Sequence, residues 1–338
     1  MRKKYLNFKD YIIDKKQSKI FKKWDGTGYL FTESVVVLSN NNITKNFELN
    51  IDKFKNTTII IQNSSFDNLN ITEFNENNNK VILKKCIVNN AELHLFQNSS
   101  VSIVDCEVQN KLNLTAHNAE LTNINNDNTI EPIIINVFSD NVVELENISG
   151  NIYLTLEAKE IKIEKCVTWL NVEQTNKLFI NKSNMFINKI NSTSIIEILA
   201  SKIKHPLINS ENALIDTKFM NVSNVSEVNN CYIKANDINI LENSYLLFQN
   251  SYFEINGHLD IKENSFIFDS QYKKSILDIK NILIHPNSGI DVLGLECSNE
   301  SEEYINIEYN NLKNERKKLV KILSLINNKY NPQLKDLE

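Results

Sequence analysis

The segment INGHLDI offers the clearest case for chemistry in this sequence, because alternation turns Leu259 and Ile261 inward and leaves His258 and Asp260 on one outer face beside Gly257. An imidazole paired with a carboxylate is the usual arrangement for moving a proton. A single His beside an Asp is also an ordinary surface feature, so no catalytic residue is assigned. The other histidines, His94, His117, His205 and His285, are scattered with no second ligand at metal spacing. Five cysteines, at 86, 106, 166, 231 and 297, form no CxxC and no Cys/His cluster. Neither a metal site nor a disulfide framework is expected. The sequence has no glycine-rich phosphate loop, nucleophile elbow or HExxH, and no cofactor is implied. Trp169, Tyr252 and Tyr272 are the outer aromatic residues available to stack on sugar rings.

The elements that must carry these residues follow from one repeated pattern. VILKKCIV and VSIVDCEV share the order apolar, any, apolar, any, any, small, any, apolar, with Cys86 and Cys106 at the small position. Period-two alternation marks a strand, and the two-residue step before the small residue marks a bend. The same set recurs as Ile59-Ile61-Ser64-Phe66, Val101-Ile103-Cys106-Val108, Ile161-Ile163-Cys166-Thr168, Leu178-Ile180-Ser183-Met185 and Ile196-Ile198-Ser201-Ile203. Ala119-Leu121-Ile124-Asn126 and Val143-Leu145-Ile148-Gly150 are weaker copies. The small position therefore falls at 64, 86, 106, 124, 148, 166, 183 and 201. A repeat near twenty residues means a solenoid, since one unit cannot bury its apolar face until a neighbour stacks on it. There is no room for two helices per repeat, no fixed Leu/Asn register of leucine-rich repeats, and no strict five- or six-residue period. An all-β parallel solenoid of roughly twelve coils remains. Cys86, Cys106 and Cys166 then read as buried, reduced, Ser-sized filling of a ladder.

Copies such as IIIQNSSF, LFINKSNM, INILENSY, LLFQNSYF and LDIKENSF resemble coils of the right-handed parallel β-helix, the architecture of pectin-lyase-like proteins. The resemblance spans roughly residues 34 to 296 and is to an architecture, with no family-specific motif. It implies outer faces on which enzymes of this kind stack carboxylates, bases or calcium ligands. Few acidic residues fall in one register on neighbouring coils, and the polygalacturonase set is not present. The turn WDGTGYLF, from Trp24 to Phe31, lacks the paired carboxylates that tailspike glycosidases carry near this point. The six glycines are also few for this architecture, which puts Asn, tolerant of left-handed backbone, in the turns.

The flanks differ in composition. Residues 1–33 form a basic N-terminal cap or arm, with nine Lys and Arg against Asp10 and Asp14 in the first 23, and Tyr5, Phe8, Ile12 and Phe21 available to face the first coil. This arm also offers an electrostatic contact for nucleic acid or another acidic partner. Residues 34–297 are the β-helix, with NENNNK (75–80) expected to protrude as a loop. After His205-Pro206 the copies ending at Tyr245, Phe253 and Phe266 are eight and thirteen apart, so one coil should show the motif on more than one face. Residues 298–338 read as an amphipathic helix and tail, with Ile305, Tyr309, Leu312, Leu319, Leu323 and Ile326 on one stripe. That helix caps the open end of the solenoid, and Arg316 in the seam argues against a coiled coil.

The net charge of −5 over 338 residues excludes a generic nucleic-acid binder, and no apolar run is long enough to span a membrane. The N-terminus lacks the apolar core of a secretory signal, so a cytoplasmic location is expected. The reading is a non-enzymatic scaffold for a protein partner. Two alternatives are a carbohydrate-active β-helix acting on polysaccharide and a component of a phage or mobile-element conflict system.

Overall fold

The structure, a computed structural model, describes residues 3–6, 31–32, 35–39, 42–126, 131–199, 201–204, 213–269, 276–291 and 295–297. By internal contacts the chain divides into two compact units, Met1–Leu178 with Ser183–Ile190, and Phe179–Lys182 with Asn191–Glu338. Each is a parallel β-solenoid, and about 11 turns are described in all. The described residues contain strands and no helix. The helix expected at 298–338 lies outside the described residues, as does most of the basic arm expected at 1–33. Within that arm Lys3–Leu6 adds a strand in parallel register to Val35–Ser39.

In the first unit the copies stack as the pattern requires. Thr58–Gln62, Lys80–Lys84 and Ser100–Val104 lie in parallel register, placing Ile61 on Leu83 on Ile103. The next coil continues the row through Leu121 to Leu145. Around the corner Leu69, Ala91, Leu112 and Ile135 make a second row, and Ile71, Leu93, Leu114 and Val137 a third. All of these side chains are buried. One alignment is corrected: Gly150 faces outward, with its φ of 103° and the Asn126 carbonyl lying where a Cβ would stand.

The corners explain both the small residue and the shortage of glycine. Asn63, Lys85, Asp105, Asn123, Asn147, Lys165 and Lys182 each precede a small-position residue and each has a φ between 47° and 56°. Sixteen described non-glycine residues have positive φ, and twelve of them are Asn, so Asn does take the turn role. The corner N–H groups reach the next coil: Asn63 donates to the Lys84 carbonyl at 3.1 Å, Lys85 to Val104 at 3.0 Å and Asp105 to Thr122 at 3.0 Å. At most corners the inward residue is small and accepts a hydrogen bond, Ile124 and Ile148 being the exceptions in the first unit. In the second unit the N–H of Asn224 donates to Ser244 Oγ at 3.0 Å, that of Ser244 to Ser265 Oγ at 3.2 Å and that of Ser265 to Ser288 Oγ at 3.1 Å. A separate corner stacks Cys231 on Ser251, whose Oγ accepts from the Cys231 N–H at 3.2 Å. The close spacing of the NSY, NSYF and NSF copies thus reflects two corners of one coil, as expected.

The NENNNK segment is not a protruding loop. Asn77 and Asn79 are buried at 0% and 1% exposure and close a corner from inside. Asn79 Nδ2 donates to the Phe54 carbonyl and to Glu73 Oε1, both at 2.7 Å, while its Oδ1 accepts from the Thr57 N–H at 3.0 Å. A run of amides looks like solvent-exposed loop in a sequence, yet here two of them saturate backbone groups no apolar residue could satisfy. Burial pushes the Glu73 carboxyl above its ordinary range, opposed by hydrogen bonds from Ser99, Asn79 and the Phe96 N–H.

Two outcomes follow. Ser265→Ala strands the buried Ser244 N–H and lowers stability by about 1–3 kcal/mol in urea denaturation, whereas Ser265→Cys loses less. For Glu73 the raised folded-state value means that its contribution to stability is present below the unfolded-state value and is lost as pH rises through the folded one. Glu73→Gln should therefore gain on the native protein between pH 4 and pH 7, measured by denaturation at both.

Candidate functional site

The outer faces are built by the same register as the core, so a residue meets the residue one coil away and seldom its sequence neighbour. His258 and Asp260 share the outer face of the strand Tyr252–Ile261, as expected, but they do not pair. His258 Nδ1 lies 3.3 Å from Asp237 Oδ1 on the neighbouring coil, which also accepts from the His258 N–H at 2.8 Å. Gly257 makes this approach feasible, since a Cβ there would stand 2.4 Å from that oxygen and 2.7 Å from the Asn236 carbonyl. Asp260 instead receives Lys262 Nζ at 2.5 Å and faces His285 Nε2 at 3.1 Å. Asp260 Oδ1 and His285 Nε2 are buried, and their contact is not aligned as a hydrogen bond.

A third pair joins His117 Nδ1 to Asp140 Oδ1 at 2.6 Å. The adjacent Ser139 hydroxyl is committed to the His117 carbonyl at 2.6 Å. Imidazole–carboxylate pairs therefore recur as links between coils. His94 sits between Thr72 and Thr115 in register, and His205 lies outside the described residues. Among the described residues no three His, Cys, Asp or Glu are grouped to hold a metal ion.

The aromatic candidates are also stacked on neighbours. Trp169 lies between Tyr153, at 5.0 Å between ring centroids and 15° between planes, and Phe186, at 5.3 Å and 25°. Both faces of the indole are occupied, so a sugar ring has no face to lie on. Tyr252 packs against Tyr232 at 5.1 Å, and its hydroxyl donates to Asp278 at 3.2 Å. The Tyr232 hydroxyl donates to Glu254, which raises the phenol to about 12 and holds the Glu254 carboxyl below its ordinary range. Tyr272 lies outside the described residues.

What the sequence reading passed over is the surface these rings make. Tyr153, Trp169 and Phe186 are spaced by one coil length, and each follows an inward residue, Ile152, Thr168 and Met185. The outward positions carry the row at the same coil spacing as the inward ones. Ile134 and Phe138 belong to the same unit and are exposed, as is Tyr153. In the first turns an outer row is polar: Asn68 Nδ2 donates to Asn46 Oδ1 at 2.9 Å, Asn90 to Asn68 at 3.1 Å and Asn110 to Asn90 at 2.8 Å. Lys111 follows, in register with Asn90 on one side and Ile134 on the other. The second unit carries a comparable row, Leu214, Tyr232, Tyr252 and Ile276, beside Asp216, Lys234, Glu254 and Asp278.

The fold defines the class: a parallel β-solenoid with laddered outer faces. No protein-family model matches the chain, and neither a curated protein nor a solved structure matches it. No helix among the described residues is long and apolar enough to cross a membrane.

Gly257→Ala forces the Asn236 backbone to move and should cost about 1–3 kcal/mol in thermal or urea unfolding. His258→Gln, at a side chain 67% exposed, should change stability by less than about 0.5 kcal/mol.

Proposed function

We propose that the protein is a non-enzymatic β-solenoid whose outer sheet face binds a protein partner. The observation that carries this reading is the row of Tyr153, Trp169 and Phe186, with Ile134 and Phe138 exposed in the same unit. Rings stacked on one another along a coil-by-coil row present their edges outward. Such a surface suits close-packed side chains of another protein, and aromatic residues are enriched at the centre of protein interfaces. Asn136 and Asn113, joined at 2.9 Å, supply a polar border of amides next to the row. The reading includes work in the cytoplasm, whose thiol reductants suit the free cysteines Cys86, Cys106, Cys166 and Cys231.

The test is affinity capture from the native host with the intact protein, followed by mass spectrometry and a size-exclusion mass of the captured complex. A stoichiometric protein partner is expected, and its capture should be lost on Ile134→Glu with Tyr153→Glu while the circular dichroism of the variant is unchanged. Cleavage of any member of a polysaccharide panel by the purified protein would overturn the non-enzymatic reading. Capture that survives the double substitution would remove this face from it.

A further inference from the structure

The corner ladder of the first unit runs through Ser64, Cys86, Cys106, Ile124, Ile148, Cys166 and Ser183. Only one neighbouring pair in it is thiol on thiol. Cys86 and Cys106 are both buried, and the Cys86 N–H donates to Cys106 Sγ at 3.4 Å, where a serine hydroxyl accepts at other corners. The Cys86 thiol donates to the Ile61 and Lys84 carbonyls, both at 3.5 Å, and the Cys106 thiol to the Val104 carbonyl at 3.4 Å. Neighbouring coils are about 4.8 Å apart, which lies within the roughly 4.4–6.8 Å between Cα atoms that a disulfide spans. Because the two residues share one register position, their Cβ atoms leave the backbone in the same direction, and bridging them needs only a small mutual approach.

The other described thiols lack this arrangement. Cys166 has Ile148 and Ser183 as its ladder neighbours, with its N–H bonded to Ser183 Oγ at 3.0 Å, and Cys231 stacks on Ser251. Burial pushes Cys166 up to about 12 and raises Cys231 as well. Cys86 moves the other way, lowered chiefly by the adjacent Cys106 side chain. Cys106 also lines an open cleft of about 1000 Å³ bordered by Asp105, Glu107, Asn110, Asn123 and Asn125, which brings solvent to the pair's edge.

We propose that Cys86 and Cys106 form an oxidisable dithiol, a modification site at which a peroxide joins two successive coils through a disulfide. The Cys86 thiolate attacks one oxygen of hydrogen peroxide, the O–O bond breaks, and the departing hydroxide takes a proton to leave as water. Cys86 is then a sulfenic acid. The Cys106 sulfur attacks the Cys86 sulfur, the S–O bond breaks, and the hydroxide leaves as a second water with the Cys106 proton. Two thiols lose two electrons and two protons, and one peroxide becomes two waters. A bond at this place fixes the corner beneath the cleft and is reversed by thiol reductants. This site stands independently of any protein partner.

The experiment treats the full-length reduced protein with graded hydrogen peroxide, alkylates the remaining thiols in denaturant, and maps the peptides by mass spectrometry. A product lighter by two hydrogens is expected, with a Cys86–Cys106 crosslinked peptide that dithiothreitol releases and an unchanged circular dichroism spectrum. Cys86 and Cys106 should be consumed roughly tenfold faster than Cys166 and Cys231. Cys86→Ser and Cys106→Ser, which keep a hydrogen-bond acceptor at the corner, should each abolish the crosslink. Full alkylation of all thiols after oxidant, consumption of the four buried thiols at one rate, or sulfinic acid at Cys86 without a crosslink would each overturn the proposal. The mapping of the native protein decides even where a variant fails to fold.

Discussion

Every coil of this chain must hand its corner N–H groups to the coil stacked on it, and the rest of the structure depends on that transfer. A corner uses one residue in the left-handed region to turn the strand and, except at Ile124 and Ile148, one small inward residue to leave room for the turn. It also needs an acceptor for an amide that water cannot reach. Asn243 with Ser244, Asn264 with Ser265 and Asn287 with Ser288 meet all three requirements in two residues. Where cysteine replaces serine the sulfur accepts instead, more weakly and at longer distance. Once the corners are in register the strands between them are fixed, and alternation then assigns each side chain to core or surface without further choice.

Register has the same effect outside as inside. Like residues come to stand on like, because each coil reuses the address of the one before. This is why amides bridge Asn46, Asn68, Asn90 and Asn110 in a chain, and why Tyr153, Trp169 and Phe186 stack face to face. It is also why three histidines find an aspartate one coil away. The outer surface is therefore organised as rows running from coil to coil, and a partner would read rows of similar chemistry where a globular protein offers a mosaic.

The inward pattern was legible because its period is short and its chemistry uniform: alternating Ile, Leu and Val with a small residue after a bend. The Asn-for-Gly exchange was legible as well, from six glycines in a chain full of turns. The outer contacts were not. Whether His258 meets Asp260 or Asp237 depends on coil length, which varies, and on a Gly257 whose role appears only when the neighbouring coil is in place. NENNNK misled for a related reason. Composition alone cannot separate an amide that faces water from one that completes the backbone bonding of another coil, as Asn79 does. The aromatic row lay between these cases, encoded at coil spacing but in positions that the core pattern does not mark.

The Asn-rich corners also bear on chemical ageing. Spontaneous deamidation of asparagine begins when the backbone nitrogen of the following residue attacks the side-chain amide, and Asn-Ser is a sequence at which small neighbours leave that path open. In the folded chain the nitrogens after Asn98, Asn243 and Asn264 are each held by a hydrogen bond, to the Phe96 carbonyl, Ser265 Oγ and Ser288 Oγ. The bond that closes the corner thus restrains the nucleophile, and the intact coil protects asparagines that the unfolded chain would slowly convert to aspartate.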